Sequence, residues 1–294
     1  TDGQRHDEAE RGRREERCLA GMNLKMNGTP EVLYNIDTTY LMIGMLVCMA
    51  LAIFLGAAAG RARAERTTPE GKAHISALQA SLLGLMALLL GFSLSLALGR
   101  YDSRSAAVVT EANAIGTAWL RTDLLPEPDR RQVRAALAHY VAIRAQAGSV
   151  TLVDDATRAQ KRGEAEAAFA RTWEIASAIA RTDPNPATVS VTNALNDMTD
   201  AFGNRDAELD RHVPEPVLYL LALTFIFLGW MMGFAPRVAG ERPPRTMAAM
   251  IVLIVLLLFV IIDLDRPRRG LIEVDQTAMR SLAASISAEM ARTE

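Results

Sequence analysis

The chain is predicted to be all-α: four transmembrane helices arranged as two hairpins, with a water-exposed helical bundle inserted between them. Three observations predict this. Four apolar runs, Thr39 to Ala59, His74 to Leu98, Val217 to Ala235 and Met247 to Ile262, each approach the roughly 20 residues that cross a hydrocarbon core. None carries an ionisable side chain deep inside, although 22% of the 294 residues are charged. The charge is therefore segregated into the middle and the ends, whereas the helices of a soluble protein each carry a polar face.

The elements follow in order. Residues 1–36 are dominated by Arg, Glu, Asp and Gly at their start and are expected to form a disordered charged tail, part of which can lie upstream of the natural start at Met22 or Met26. Residues 37–100 form the first hairpin, retained rather than cleaved because Glu31 and Asp37 precede the first span where a signal peptide wants basic residues. Its turn holds Arg61, Arg63, Arg66 and Lys72, with Thr67, Thr68 and Pro69 ending one helix and starting the next. The second span has no Pro or Gly pair to stop it at the membrane edge. Tyr101, Ser105, Val108, Ala112, Ile115 and Trp119 continue its helical stripe to about Arg121.

The water-exposed domain, residues 101–213, reads as an antiparallel bundle. Leu124 to Pro128 break the long helix, and a second runs from about Pro128 to Ala147, closed by Gly148. A third begins behind Asp154 or Asp155 and stops at Thr182 to Pro186, and a fourth spans about Ala187 to Arg211. Residues 214–265 form the second hairpin, turned by Arg237 to Arg245 with Pro243-Pro244. Residues 266–294 form a tail, extended at first and then an amphipathic helix, on the bundle's side of the membrane.

Function is less legible than layout. Ser81, Gly84, Gly91 and Ser95 lie on one face of the second span, ending in Asp102 at its mouth. Such a stripe serves either close helix packing or the wall of a pathway, with Gln79, Ser93 and Phe92 nearby as polar or constricting candidates. Gly56 with Gly60 and Gly229 with Gly233 are small-xxx-small patterns, for contact within or between subunits. At the opposite boundary Arg100, Asp102, Arg104, Asp263, Asp265 and Arg266 form a charge cluster, in which Arg100 or Arg104 is expected to bond Asp263 or Asp265.

Catalysis and metal binding find no support. The four histidines are scattered, there is no H-E-x-x-H, C-x-x-C or phosphate-binding glycine loop, and two cysteines, Cys18 and Cys48, make no disulfide framework. No cofactor is expected. A net charge of −2 without a basic stripe excludes nucleic acid as a partner.

A compact run stands out beyond bundle chemistry: Glu111-Ala112-Asn113-Ala114-Ile115-Gly116-Thr117-Ala118-Trp119-Leu120-Arg121, with Asp123-Leu124-Leu125-Pro126 after it. Together with Gly91-Phe92-Ser93, Arg100-Tyr101-Asp102, Asp263-Leu264-Asp265-Arg266-Pro267 and Gly270-Leu271-Ile272, it resembles the bacterial bestrophin-like domain family of integral membrane proteins. The likeness covers about Thr39 to Met290, and Glu111, Asn113 and Gly116 belong to its motif. Ser105 stands where a second basic residue often follows the position of Arg104, and the tail after Ile272 is more acidic than the pattern. The resemblance implies kinship to bestrophins, oligomeric anion channels, and hence a bacterial inner-membrane protein with lipids, further copies of itself and small inorganic ions as partners. It transfers no pore residue. An oligomeric ion channel and a non-conducting sensor or scaffold that binds a partner through its helical domain are the two functional readings. The acidic leading and basic trailing flanks of the first span favour short loops in the cytoplasm, and the bestrophin kinship points the other way.

Overall fold

A computed structural model of the chain describes residues 38–147, 155–241, 245–265 and 272–293. The charged tail 1–36, Gly148, Asp154, the Pro243-Pro244 turn and Arg266 lie outside the described residues. Eight α-helices and two short 3-10 turns make up the described part, and no strand occurs among these residues.

Helix α1 (Thr38–Arg63) ends in Arg61 and Arg63, cations that complement the negative end of the helix dipole. A 3-10 turn (Ala64–Arg66) follows. Thr68 then caps α2 (Pro69–Arg121) by accepting the Gly71 N–H at 3.2 Å, and Pro69 occupies the first position, where its missing N–H costs nothing. The 53 residues of α2 span about 80 Å at 1.5 Å each, far more than the hydrocarbon thickness. One rigid rod thus joins membrane and water.

Beyond the 3-10 turn Thr122–Leu124 come α3 (Asp129–Ala147), α4 (Asp155–Thr182) and α5 (Pro186–Asp210). Asn185 starts α5 through a reciprocal capping box with Thr188. Helix α6 (Glu215–Ala239) ends at Gly240, whose φ of 84° is the left-handed conformation that closes a helix with least steric penalty on glycine. Helix α7 (Arg245–Asp265) completes the second hairpin, and α8 (Thr277–Thr293) follows a short extended piece.

Two cores result. In the membrane part Met49, Met86, Leu90, Phe225, Leu228, Met232, Ile254 and Leu258 pack α1, α2, α6 and α7 together. Helix α1 lies across α6, and both glycine pairs sit in that crossing. A Cβ on Gly56 would fall 2.0 Å from the Trp230 carbonyl oxygen and one on Gly233 2.1 Å from that of Ile53, so only glycine admits the approach. The two patterns therefore serve contact within one subunit.

In the water-exposed part Ile115, Leu137, Tyr140, Ala165, Leu195, Met198, Met279 and Ile286 form a second core. The last two belong to α8. The C-terminal helix is thus a fifth member of the bundle, packed on α2 and α3, where the sequence reading sets 266–294 apart as a tail.

Candidate functional site

The face that α2 turns toward its own subunit in the membrane consists of Met86, Leu90, Ser93 and Ala97, all buried. Helical spacing puts Ser81, Gly84, Gly91 and Ser95 on the opposite side, and all four are exposed. A Cβ added at Gly84, Gly91 or Gly99 would meet nothing within 4 Å. Phe92 lies beside this stripe and is 62% exposed. Ser93 does not join it: one residue further round the helix, it is carried onto the packed face, so it is no wall for a pathway along the stripe. Gln79 is half-buried and lines a separate recess of about 370 Å³ with Met232, Pro236 and Met247.

At the membrane boundary on the bundle's side the chain folds back on itself around Arg104, which is 2% exposed. Its guanidinium donates to the carbonyls of Glu208 at 3.1 Å, Leu264 at 3.2 Å, Arg211 at 2.6 Å and Asp265 at 3.0 Å. These carbonyls come from the end of α5, its exit and the end of α7, where helix geometry leaves acceptors without an intrahelical partner. One cation placed against two helix C-termini satisfies both hydrogen bonding and dipole. Arg104 thus reaches Asp265 through that residue's main-chain carbonyl.

The two aspartates hold connecting segments. The Asp265 carboxylate accepts the Val213 N–H at 3.0 and 3.2 Å, which sets the entry to α6, and the Asp263 carboxylate accepts the Ile272 N–H at 2.9 Å, which sets the path toward α8. Arg100 is half-buried and Asp102 is exposed. The charges nominated at this boundary therefore divide: Arg104, Asp263 and Asp265 are buried together where α2 meets the end of α7, and Arg100 and Asp102 lie outside that knot.

About two turns beyond Arg104, Glu111 sits inside the bundle with no exposed surface. Arg144 of α3 grips its carboxylate with two bonds, at 2.6 and 2.8 Å, Arg205 of α5 adds a third at 2.5 Å, and the Tyr140 hydroxyl lies 3.4 Å away. Arg205 also donates to Gln276 at 2.7 Å, immediately before α8. Burial alone works to raise the Glu111 pKa, but the charges and hydrogen bonds of Arg144 and Arg205 outweigh it and hold the carboxyl below its ordinary range. Burial, reinforced by the Glu111 charge, pushes the Tyr140 hydroxyl up, so it stays protonated. Both arginines remain cations, since guanidinium is not deprotonated in proteins. The Arg144 guanidinium also covers the Phe202 ring at 4.6 Å.

The other motif residues face outward. Asn113 is exposed and Gly116 is half-buried, with Leu282 3.6 Å from where its Cβ would be. Both line an open groove of about 650 Å³ between α2 and α8, with Leu120, Ser285 and Glu289. Next to it the Trp119 indole donates to Glu289 at 2.9 Å, and Arg134 bridges Glu289 and Asp123 while stacking over Trp119 at 4.7 Å.

Sequence reasoning missed Arg144, Arg205, Tyr140 and Gln276. They stand 33, 94, 29 and 165 positions from Glu111, on other elements, and no spacing rule connects them. The available signal was that Glu111 itself falls on the apolar stripe of Val108, Ala112 and Ile115, where a carboxylate needs cations brought by other helices. Among the described residues no group of three or more His, Cys, Asp and Glu side chains is placed to hold a metal ion.

A family model described as the Bestrophin-like domain matches residues 44–279, from within α1 to the first turn of α8. In structure the chain is similar to a bacterial bestrophin homologue from Klebsiella pneumoniae crystallised with a tryptophan-to-alanine substitution. The TM-score is 0.62 at 14% identity, over 86% of this chain and 96% of the other. The same homologue with a leucine-to-threonine substitution gives 0.60 at 14% identity, over 84% and 97%. At that identity the likeness speaks for the fold. No curated protein matches in sequence.

Proposed function

Since the chain belongs to the bestrophin-like domain family, we propose that it assembles as a homo-oligomer in the bacterial inner membrane and passes small inorganic ions, anions by kinship, along its α2 helices. The observation that supports this reading is the open stripe: the small and polar residues Ser81, Gly84, Gly91 and Ser95 lie on the side of α2 that its own subunit leaves uncovered. Four spans are too few to enclose a wetted path, so the remaining wall comes from other copies. In this reading the hairpins at 37–100 and 214–265 carry the path, Phe92 narrows it, and the bundle at 101–213 with the helix of 266–294 stands in water. The role is transport without catalysis or cofactor.

Purified oligomer in liposomes tests the proposal. Ion flux is expected, and Gly91→Leu or Ser95→Leu should lower it with oligomer size unchanged, because a leucine there enters the path and not the subunit core. A well-folded oligomer that passes no ion under varied voltage, pH and calcium would overturn it. The second reading, a non-conducting scaffold that binds a partner through the helical domain, draws its support from the open groove between α2 and α8.

A further inference from the structure

The short-loop end of the membrane part gathers five cations: Arg61 and Arg63 at the end of α1, Arg66 in the 3-10 turn, Lys72 at the start of α2 and Arg237 near the end of α6. The 3-10 turn packs against α6, which brings these elements to one corner. Among the described residues none of the five takes part in an ion pair. Glu65, Glu70 and Glu241 are the acids nearest to them in sequence, three against five cations. The corner therefore keeps an excess of positive charge.

Arg237 stands where α1 packs on α6. Its Nε is fully buried and has no hydrogen-bond partner, an orphaned charged donor where nearly all buried polar groups are paired. Its stem is fixed in the α1–α6 crossing, since a Cβ on Gly60 would stand 2.9 Å from the Arg237 Cβ. Below it on the same face of α6, Phe227, Trp230 and Phe234 form a ring ladder, with centroids 5.8 and 4.7 Å apart and planes within 10° and 13° of parallel. Phe227 is 51% exposed and Trp230 is half-buried, so the deeper part of the ladder opens to the bilayer.

We propose that Arg237, with Arg61, Arg63, Arg66 and Lys72 at the same end of the membrane part, binds the phosphate of an anionic membrane lipid whose acyl chain lies along Phe227 and Trp230. A guanidinium fork matches two phosphate oxygens, and at this depth the lipid headgroup is the abundant acceptor. The aromatic ladder favours a lipid over free phosphate, because interfacial rings hold glycerol and acyl carbons and do nothing for an inorganic ion. The surplus of cations favours an anionic lipid over a zwitterionic one.

The test uses the full chain, delipidated in detergent, with phosphatidylglycerol, phosphatidylcholine or inorganic phosphate added. Retained lipid is counted by native mass spectrometry. Wild type should retain phosphatidylglycerol in preference to phosphatidylcholine, undisplaced by inorganic phosphate. Arg237→Gln should bind it about tenfold more weakly, the loss of one charge-assisted contact, and Arg237→Lys should recover part of the difference. Equal retention by the Gln variant, or displacement by inorganic phosphate, overturns the proposal. Should Arg237→Gln fail to fold, the exposed pair Arg63→Gln with Arg66→Gln serves instead: reduced retention supports the site and unchanged retention refutes it.

Discussion

Glu111 is a carboxylate with no exposed surface, and it persists there because two arginines from two other helices meet it. Such a group is worth little against a well-packed apolar substitute, yet removing one partner leaves the others buried and uncompensated. Glu111→Ala should therefore cost about 3 to 5 kcal/mol of bundle stability, read as a fall in thermal unfolding temperature, because Arg144 and Arg205 lose their common anion. Glu111→Gln separates charge from shape. Because the carboxyl pKa is held below the unfolded value, the charge contributes fully above the ordinary carboxylate range, about 4.3, and that contribution is lost as pH falls through the lower folded value. The stability gap between wild type and Glu111→Gln should thus be widest near neutrality and narrow in acid; a gap that widens in acid would contradict the network. The run around Glu111 was legible as more specific than a bundle needs. Its partners were not, since charges on separate helices share no local period.

At the scale of the element, capping chemistry was open to reading in part. Thr68-Pro69 was read as a helix start and is one, the Thr182 to Pro186 break proves to hold the Asn185 cap of α5, and Gly240, which closes α6, was not singled out. The destination of α8 was not open to reading, because an amphipathic stripe such as Met279 with Ile286 states that it will be buried and not against what. The glycine pairs were ambiguous for the same reason, and distance decides them. Gly56→Ala or Gly233→Ala should abolish well-folded protein, judged by size-exclusion profile and thermal unfolding, since the added methyl meets backbone that cannot yield. Gly84→Ala and Gly91→Ala on the open stripe should leave folding unchanged. Arg104 gives a second test at this scale. Lysine at that position keeps the charge but cannot reach four carbonyls at once, so Arg104→Lys should lower the unfolding temperature clearly, and a neutral result would mean that α5 and α7 do not depend on this cap.

For the whole molecule the consequence of α2 is continuity, because the same unbroken helix bears the open stripe in the membrane and Glu111 in the bundle. The bundle is tied to it again through Arg104 at the ends of α5 and α7 and through Gln276 before α8, so a displacement in water has a stiff route to the membrane stripe. That arrangement requires an even number of crossings. The turn at Ala64–Arg66 and the α6 end at Gly240 then share one side, and the bundle takes the other. Single cysteines at Glu65 and at His139, both exposed, introduced into a chain with Cys18 and Cys48 changed to serine, report this directly. In sealed vesicles of one orientation a membrane-impermeant maleimide should label one site from outside and the other only after the bilayer is opened. Labelling of both from the same side would break the two-hairpin layout, and with it the argument that the open face of α2 crosses the bilayer toward other copies.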